Sequence, residues 1–94
     1  MLTKERIIEE LETIYDPEVH LDIWTMGLIY DIHITDTVIH IVMTYTTPMC
    51  PAGPLIQDQI RDALISIGAS AVTFEVTFDP PWKPPEALRA MMGI

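Results

Sequence analysis

The stretch that decides the fold is Leu28–Tyr45, which reads LIYDIHITDTVIHIVMTY. Apolar and polar residues alternate along it with a period of two, on both sides of a short polar break at residues 35–37. This alternation is typical of half-buried strands, and it assigns Leu28 to one face of the first strand and Ile29 to the other. Two such strands joined by so short a break predict a β-hairpin.

Upstream of the hairpin, an amphipathic helix is predicted to begin behind Thr3, a residue type that caps helix N-termini through its hydroxyl. Apolar residues recur at helical spacing up to Tyr15, with glutamates on the opposite side. We expect the helix to end at Asp16-Pro17, because the residue before a proline is disfavoured in the helical conformation. The residues from Asp16 to Gly27 then form an irregular connection between the helix and the hairpin.

Downstream of the hairpin, residues 53–67 carry an apolar stripe at helical spacing, and Gly68 is placed for the left-handed position that often follows a helix. Residues 72–78 alternate as a third strand, and the strand–helix–strand order implies parallel pairing through a crossover. Two helical turns over residues 86–92 could close the chain. We therefore predict a single α+β domain over residues 1–94, with the order α-β-β-α-β, optionally a last helix, and the helices packed on the sheet.

The composition excludes several classes of function. Fourteen Asp and Glu against five Lys and Arg give a formal net charge of −9, which would repel a phosphate backbone, so nucleic acid is not an expected partner. The same charge favours a basic docking surface on another protein. No run approaches the roughly 18 apolar residues of a membrane span, and no apolar leader follows the N-terminus, so we expect a cytoplasmic protein without a membrane partner.

Cys50 is the first candidate for chemistry, because it lies in a proline-rich loop, TTPMCPAGP (residues 46–54), just before a predicted helix. Backbone N–H groups at a helix N-terminus stabilise a thiolate, which increases both its formation and its metal affinity. The alternative is that Cys50 is a small buried hydrophobic residue. It is the only cysteine, so the chain cannot hold a self-contained iron–sulfur cluster or structural zinc ion, which needs about four ligands.

Three further residues are candidates for loop support or partner contact. Asp16 and Glu18 flank a proline, and their carboxylates could ligate a hard cation or hydrogen-bond the backbone of the Cys50 loop. The alternative for this pair is a helix stop followed by solvated charges. Trp82 lies in a proline cluster, where it could be an exposed anchor for a partner or could pack over the sheet edge or the core.

The histidines provide two weaker hypotheses. His20, in the long loop, could act as the base for Cys50 in a small thiol enzyme, although there is no cysteine-hydrolase signature and little room for a substrate pocket. His33 and His40 fall on the outer faces of the hairpin strands, where a histidine pair could bind metal or respond to pH. Solvent-facing strand histidines are the simpler interpretation, and without a carboxylate–thiol cluster nearby we do not expect metal there.

Four short motifs occur in one order along nearly the whole chain: Asp16-Pro17-Glu18, the run Met26–Tyr30, the loop Thr47–Pro51, and Asp79–Trp82. Each is weak alone, but together, joined by the predicted helices and strands, they are specific. In this combination the chain resembles the SufT/PaaD-like iron–sulfur cluster assembly family. The PaaD-type members have further cysteines in a C-terminal extension, whereas this chain stops at Ile94, so it resembles the stand-alone, SufT-like kind.

The resemblance implies a compact α+β domain that acts in cluster maturation without being an enzyme. It implies that Cys50 contacts the cluster or thiol, with Asp16, Glu18 and Thr47 shaping the loop around it. Because one thiolate holds only part of a cluster, a bound cluster would be transient and labile, and it would be shared with a second chain, as in a homodimer, or with a carrier or client protein. The competing hypothesis is an interaction adaptor in which Cys50 is only structural.

Overall fold

The computed structural model describes residues 2–16, 20–45, 53–83 and 86. Within these residues the order of elements is α1 (Lys4–Leu11), β1 (Ile29–Thr35), β2 (Val38–Met43), α2 (Gly53–Ser66) and β3 (Ala71–Val76). The predicted α+β class and the order α-β-β-α-β are therefore confirmed. The closing helix predicted over residues 86–92 lies outside the described residues, except for Glu86.

The sheet has the strand order β1-β2-β3, with β2 in the middle. β1 pairs with β2 antiparallel, through a turn of two residues between Thr35 and Val38, and Asp36 in this turn has a positive φ of 56°. β3 pairs with β2 in parallel, and α2 makes the connection between them. The hairpin and the helical crossover are thus both confirmed.

Helix α1 begins where expected and ends earlier than expected. The hydroxyl of Thr3 accepts a hydrogen bond from the backbone N–H of Arg6 at 3.1 Å, so the predicted cap is confirmed. The helix ends at Leu11 rather than at Asp16-Pro17. The reason is that the chain beyond Leu11 pairs with the following loop instead: the carbonyl of Ile14 accepts from the N–H of Ile23 at 2.9 Å. The backbone groups are satisfied by these loop contacts without further helical turns.

A β-bulge near the start of β1 corrects the predicted faces of that strand. Ile29 pairs with Met43 and Asp31 with Val42, so Tyr30 is an extra residue on β1. The extra residue shifts the alternation, because two residues then oppose one on the partner strand. Ile29 therefore faces the core with Met43 instead of facing solvent as the simple alternation predicted.

Helix α2 ends in a Schellman motif around Gly68, which confirms the role predicted for that glycine. Gly68 has a φ of 120° and its N–H donates to the carbonyl of Ile65. The N–H of Ala69 reaches back to the carbonyl of Leu64 at 3.0 Å. The chain thus leaves the helix in the direction required to enter β3.

The core lies between the two helices and one face of the sheet. It is formed by buried side chains from both helices, all three strands and the loop between α1 and β1: Ile7, Leu11, Ile14, Ile23, Met26, Leu28, Ile29, Ile32, Ile39, Ile41, Met43, Ile56, Ile60, Leu64, Ala69 and Val72. The other face of the sheet carries exposed or half-buried polar side chains. Among the described residues, no helix is long and apolar enough to cross a membrane.

Candidate functional site

The candidate site lies at one end of the sheet. Because β2 and β3 are parallel neighbours, the connections that follow Met43 and Val76 leave from the same end. β1 is antiparallel to β2, so it begins at this end. Ligand sites of α/β sheets are commonly found beyond the carboxyl ends of parallel strands. We call this region the loop end of the sheet and define it by residues 26–28, 44–45, 53 and 77–82.

Tyr45 and Gly53 join the two sides of the segment that contains Cys50. The hydroxyl of Tyr45 donates to the carbonyl oxygen of Gly53 at 3.0 Å. The tyrosine ring also covers the glycine closely, since a Cβ added at Gly53 would lie 3.0 Å from the ring atom Cζ. The residues between them, among them Thr47 and Cys50, lie outside the described part of the chain. This contact, which we call the Tyr45–Gly53 clamp, therefore sets where the loop leaves β2 and where it enters α2.

Backbone hydrogen bonds extend the sheet past the named strands at the loop end. The N–H of Thr44, a fully buried residue, donates to the carbonyl of Leu28 at 2.8 Å. The N–H of Thr77 donates to the carbonyl of Met43 at 2.9 Å. The residues that precede the Cys50 loop are thus held from both neighbouring strands.

The segment that follows β3 crosses the loop end and is held there by two aromatic side chains. The indole N–H of the partly buried Trp82 donates to the carbonyl of Met26 at 2.7 Å. The hydroxyl of Tyr30 donates to the carbonyl of Pro80 at 2.8 Å. Trp82 therefore packs against the core, which was one of the two positions predicted for it. Its contact with a partner stays a prediction.

Asp16 is a buried carboxylate, only 3% exposed, at the start of the loop that leads to β1. Its N–H donates to the carbonyl of Leu21, and its own carbonyl accepts from the N–H of His20. Asp16 also takes part in at least one further interaction, as expected because an unpartnered buried carboxylate is costly. This burial argues against a merely solvated charge at Asp16. Glu18 lies outside the described residues.

The described residues give no support for a role of His20 at this site, or for a metal ion bound there. His20 is exposed and has a positive φ of 65°. Within the residues that the structure describes, no group of three or more His, Cys, Asp and Glu side chains is arranged to hold a metal ion. The roles predicted for Cys50, Glu18 and Thr47 remain predictions.

Three exposed apolar side chains border the loop end, and we call them the apolar rim: Leu55, Val76 and Phe78. Leu55 lies in the first turn of α2, just beyond Gly53, while Val76 and Phe78 lie at and after the end of β3. Neighbouring positions carry carboxylates. Apolar patches on a protein surface mark contacts with other proteins, and these three side chains are exposed apolar groups at the loop end.

Comparison with known proteins identifies the family and the fold. The model of a family described as iron–sulfur cluster assembly protein matches residues 4–83. The chain belongs to this family. Members of the assembly family with similar sequences include the Fe–S protein maturation auxiliary factor YitW of Bacillus subtilis, 38% identical over 84% of this chain and 79% of that protein. The auxiliary factor SufT of Staphylococcus aureus is 37% identical over 73% of this chain and 81% of its own length. The predicted SufT-like resemblance is thereby confirmed.

A solved structure shows that the fold of this assembly protein is shared. A conserved hypothetical protein of Thermotoga maritima superposes with a TM-score of 0.86 at 40% identity, over 99% of this chain and 96% of that one. All four motifs that suggested the family lie within the matched residues 4–83. The similarity therefore covers the loop end and both helices.

Sequence reasoning missed two residues of the loop end, Tyr45 and Gly53. The alternation places Tyr45 at the end of the predicted second strand. Gly53 is predicted only as the start of the second helix. The only available signal was the glycine itself, because a glycine at the first position of a helix is consistent with the close approach of another group.

Proposed function

We propose that this protein is a non-enzymatic accessory factor that assists iron–sulfur cluster assembly or the transfer of clusters to client proteins, acting through the Cys50 loop in the cytoplasm. The observation that carries the proposal is the Tyr45–Gly53 clamp, which holds both sides of the loop at the loop end of the sheet. Family membership supports the process. The maturation factors among the relatives support an auxiliary rather than a catalytic role.

The single thiol of the chain determines how a cluster would be handled. Cluster irons are held by about four thiolate or imidazole ligands, and the chain has one cysteine. Cys50 would therefore contact a cluster that is completed by ligands from a second chain or from a carrier or client protein. Such a cluster is cargo, held transiently and lost easily. A homodimer that shares one cluster is one arrangement of this kind.

The residues around the loop would keep it in place and provide the surface for docking. Asp16, Glu18 and Thr47 would brace the loop, and Trp82 would hold the segment that crosses the loop end. The partners would be proteins rather than nucleic acid or membrane, because the net charge of −9 repels phosphate groups.

Anaerobic reconstitution with iron and sulfide tests the role of Cys50. We expect the parent protein to develop a visible chromophore at about one cluster per two chains, and Cys50→Ser to develop none while retaining the parent melting temperature. Maturation of an apo-protein that takes up a [4Fe–4S] cluster should fall with the same substitution. An unchanged maturation rate for Cys50→Ser would contradict the proposal.

A pair of matched variants tests the apolar rim. Phe78 and Ile65 are similarly exposed, at 42% and 47%, but Phe78 lies at the loop end while Ile65 lies near the other end of α2. Phe78→Asp should raise the concentration of apo-protein needed for half-maximal maturation, because it places a charge in the docking surface. Ile65→Asp should leave that concentration unchanged. Equal effects of the two variants would show that the loop end is not the docking surface.

The second candidate is an interaction adaptor with a structural cysteine, and the apolar rim favours it because docking through the rim needs no thiol. Under this hypothesis Cys50→Ala keeps maturation activity, and Cys50→Ser lowers the melting temperature because a polar hydroxyl replaces a buried sulfur. A thermal melt measured beside the maturation assay separates the two candidates.

A further inference from the structure

The open face of the sheet carries a pair of histidines that the loop end does not involve. His33 on β1 and His40 on β2 are directly opposite each other in the antiparallel pairing. Their rings are tilted by 31° and their centroids are 6.1 Å apart. The His33 side chain is 58% exposed and the His40 side chain 36% exposed, so both rings can be reached from solvent and can turn.

Each ring already has a polar partner for one of its nitrogens. Nε2 of His33 lies 3.1 Å from Oδ2 of Asp31, and Nδ1 of His40 lies 2.7 Å from Oγ1 of Thr73. When these nitrogens carry the protons, Nδ1 of His33 and Nε2 of His40 have free lone pairs. This is the arrangement around metal-binding histidines, whose second nitrogen usually donates to a carboxylate or another oxygen that orients the ring.

The charges around the pair are favourable for a cation. A carboxylate oxygen of Glu75, on the third strand, lies 4.0 Å from Nε2 of His40. Together with Asp31 it places one carboxylate at each side of the two imidazoles. The net charge of −9 further increases the local concentration of cations. The sequence pattern could not show the Glu75 carboxylate, because Glu75 comes near His40 only through the parallel pairing of β2 and β3.

We propose that His33 and His40 form an exchangeable site for a divalent transition-metal ion that prefers imidazole ligands, such as Zn²⁺, Ni²⁺ or Cu²⁺. With metal–nitrogen bonds of about 2.0–2.1 Å, two imidazoles on one ion have ring centroids about 5–6.5 Å apart. The observed separation of 6.1 Å falls within this range, so the two rings are already at the spacing that one ion requires. Water completes the coordination, because no third His, Cys, Asp or Glu ligand is in place among the described residues.

The test uses the full chain with Cys50→Ser as the parent, so that the thiol cannot bind the ion. Zn²⁺ and Ni²⁺ are each titrated into the parent and into His33→Ala, His40→Ala and His20→Ala by calorimetry. His20→Ala is the matched control, because this histidine is exposed but lies outside the sheet. Thermal melts of all variants without metal establish that the fold is retained.

We expect one ion per chain, and we expect loss of either sheet histidine to raise the Kd more than about tenfold, because one imidazole then replaces a chelating pair. Asp31→Asn should raise the Kd by up to about tenfold, because it weakens the orienting contact. His20→Ala should leave the Kd unchanged. Equal Kd values for His33→Ala, His40→Ala and the parent, or no binding below millimolar metal, would overturn the proposal.

Discussion

The two ends of the sheet are closed in different ways. At the turn end, the hairpin reverses within two residues, and Thr37 and Ser70 join the neighbouring strand starts through their hydroxyls at 2.7 Å. At the loop end, side chains hold backbone carbonyls that are far away in sequence, as Trp82 holds Met26 across 56 residues. The turn end, which carries the β1–β2 turn and the start of β3, is therefore closed by contacts between residues at the ends of the strands. The loop end is held by added contacts between residues that are far apart in sequence.

The largest loss of stability is expected when a larger side chain replaces the glycine of the Tyr45–Gly53 clamp. Gly53→Val places two methyl groups against the Tyr45 ring, where even a Cβ would be 3.0 Å from Cζ. We expect the free energy of unfolding to fall by about 3 kcal/mol, as in overpacked cores. In Gly68→Ala, at the turn end, the added Cβ would be in ordinary van der Waals contact with Cδ2 of Leu2 at 3.9 Å, so this variant should cost about 1 kcal/mol through its positive φ.

Urea denaturation of both glycine variants provides the measurement. If Gly68→Ala proves as costly as Gly53→Val, the close approach of Tyr45 is not what requires glycine at position 53, and the contrast between the two ends is lost.

The next largest loss of stability is expected when the indole N–H of Trp82 is removed. Trp82→Phe keeps an aromatic ring but leaves the carbonyl of Met26 without this hydrogen bond. We expect a loss of about 1.5 kcal/mol, because the group that remains is partly shielded from water. Native-state hydrogen exchange should show faster exchange at the loop end, with the amides of the hairpin turn unchanged. Uniformly faster exchange would contradict a local role for Trp82.

A smaller effect is expected from the clamp hydroxyl. Tyr45→Phe removes the hydrogen bond to the Gly53 carbonyl but keeps the ring packing. The loss should be about 1 kcal/mol, which corresponds to roughly fivefold faster exchange in the first turn of α2. Exchange in that turn can be followed by NMR, and α1 provides the internal reference.

The smallest effect is expected at the turn end. Ser70→Ala removes the hydroxyl contact with Thr37, but both groups are exposed, so water can replace the lost bond. The free energy of unfolding should change by less than about 0.5 kcal/mol. A loss as large as that of Tyr45→Phe would mean that the turn end also depends on side-chain contacts.

The elements of this fold were predictable where the controlling interactions are local. The cap at Thr3 and the Schellman glycine Gly68 each depend on a few neighbouring residues, and both predictions are confirmed. The alternation predicted the three strands, but it assigned the wrong face to Ile29. The bulge at Tyr30 was not predictable, because a single extra residue leaves no mark in an alternating pattern. The early end of α1 depends on pairing with a loop that follows it.

The candidate site was predictable as a set of loops but not as an arrangement. The proline-rich loop around Cys50 and the segment that contains Trp82 stand out by composition. The residues that flank the Cys50 loop and the segment after β3 lie at one end of the sheet because β3 is parallel to β2. The contacts with Met26 and Gly53 are made to their backbone carbonyls. Composition cannot reveal an acceptor that every residue possesses.

The contact between Met26 and Trp82 has a consequence for synthesis on the ribosome. Chains grow from the N-terminus at about 5–20 residues per second, so the 56 residues that separate the two partners take roughly 3–11 s to add. Cys50 is made before Trp82. A nascent chain therefore already contains its thiol while the indole that secures that end of the sheet has yet to be translated.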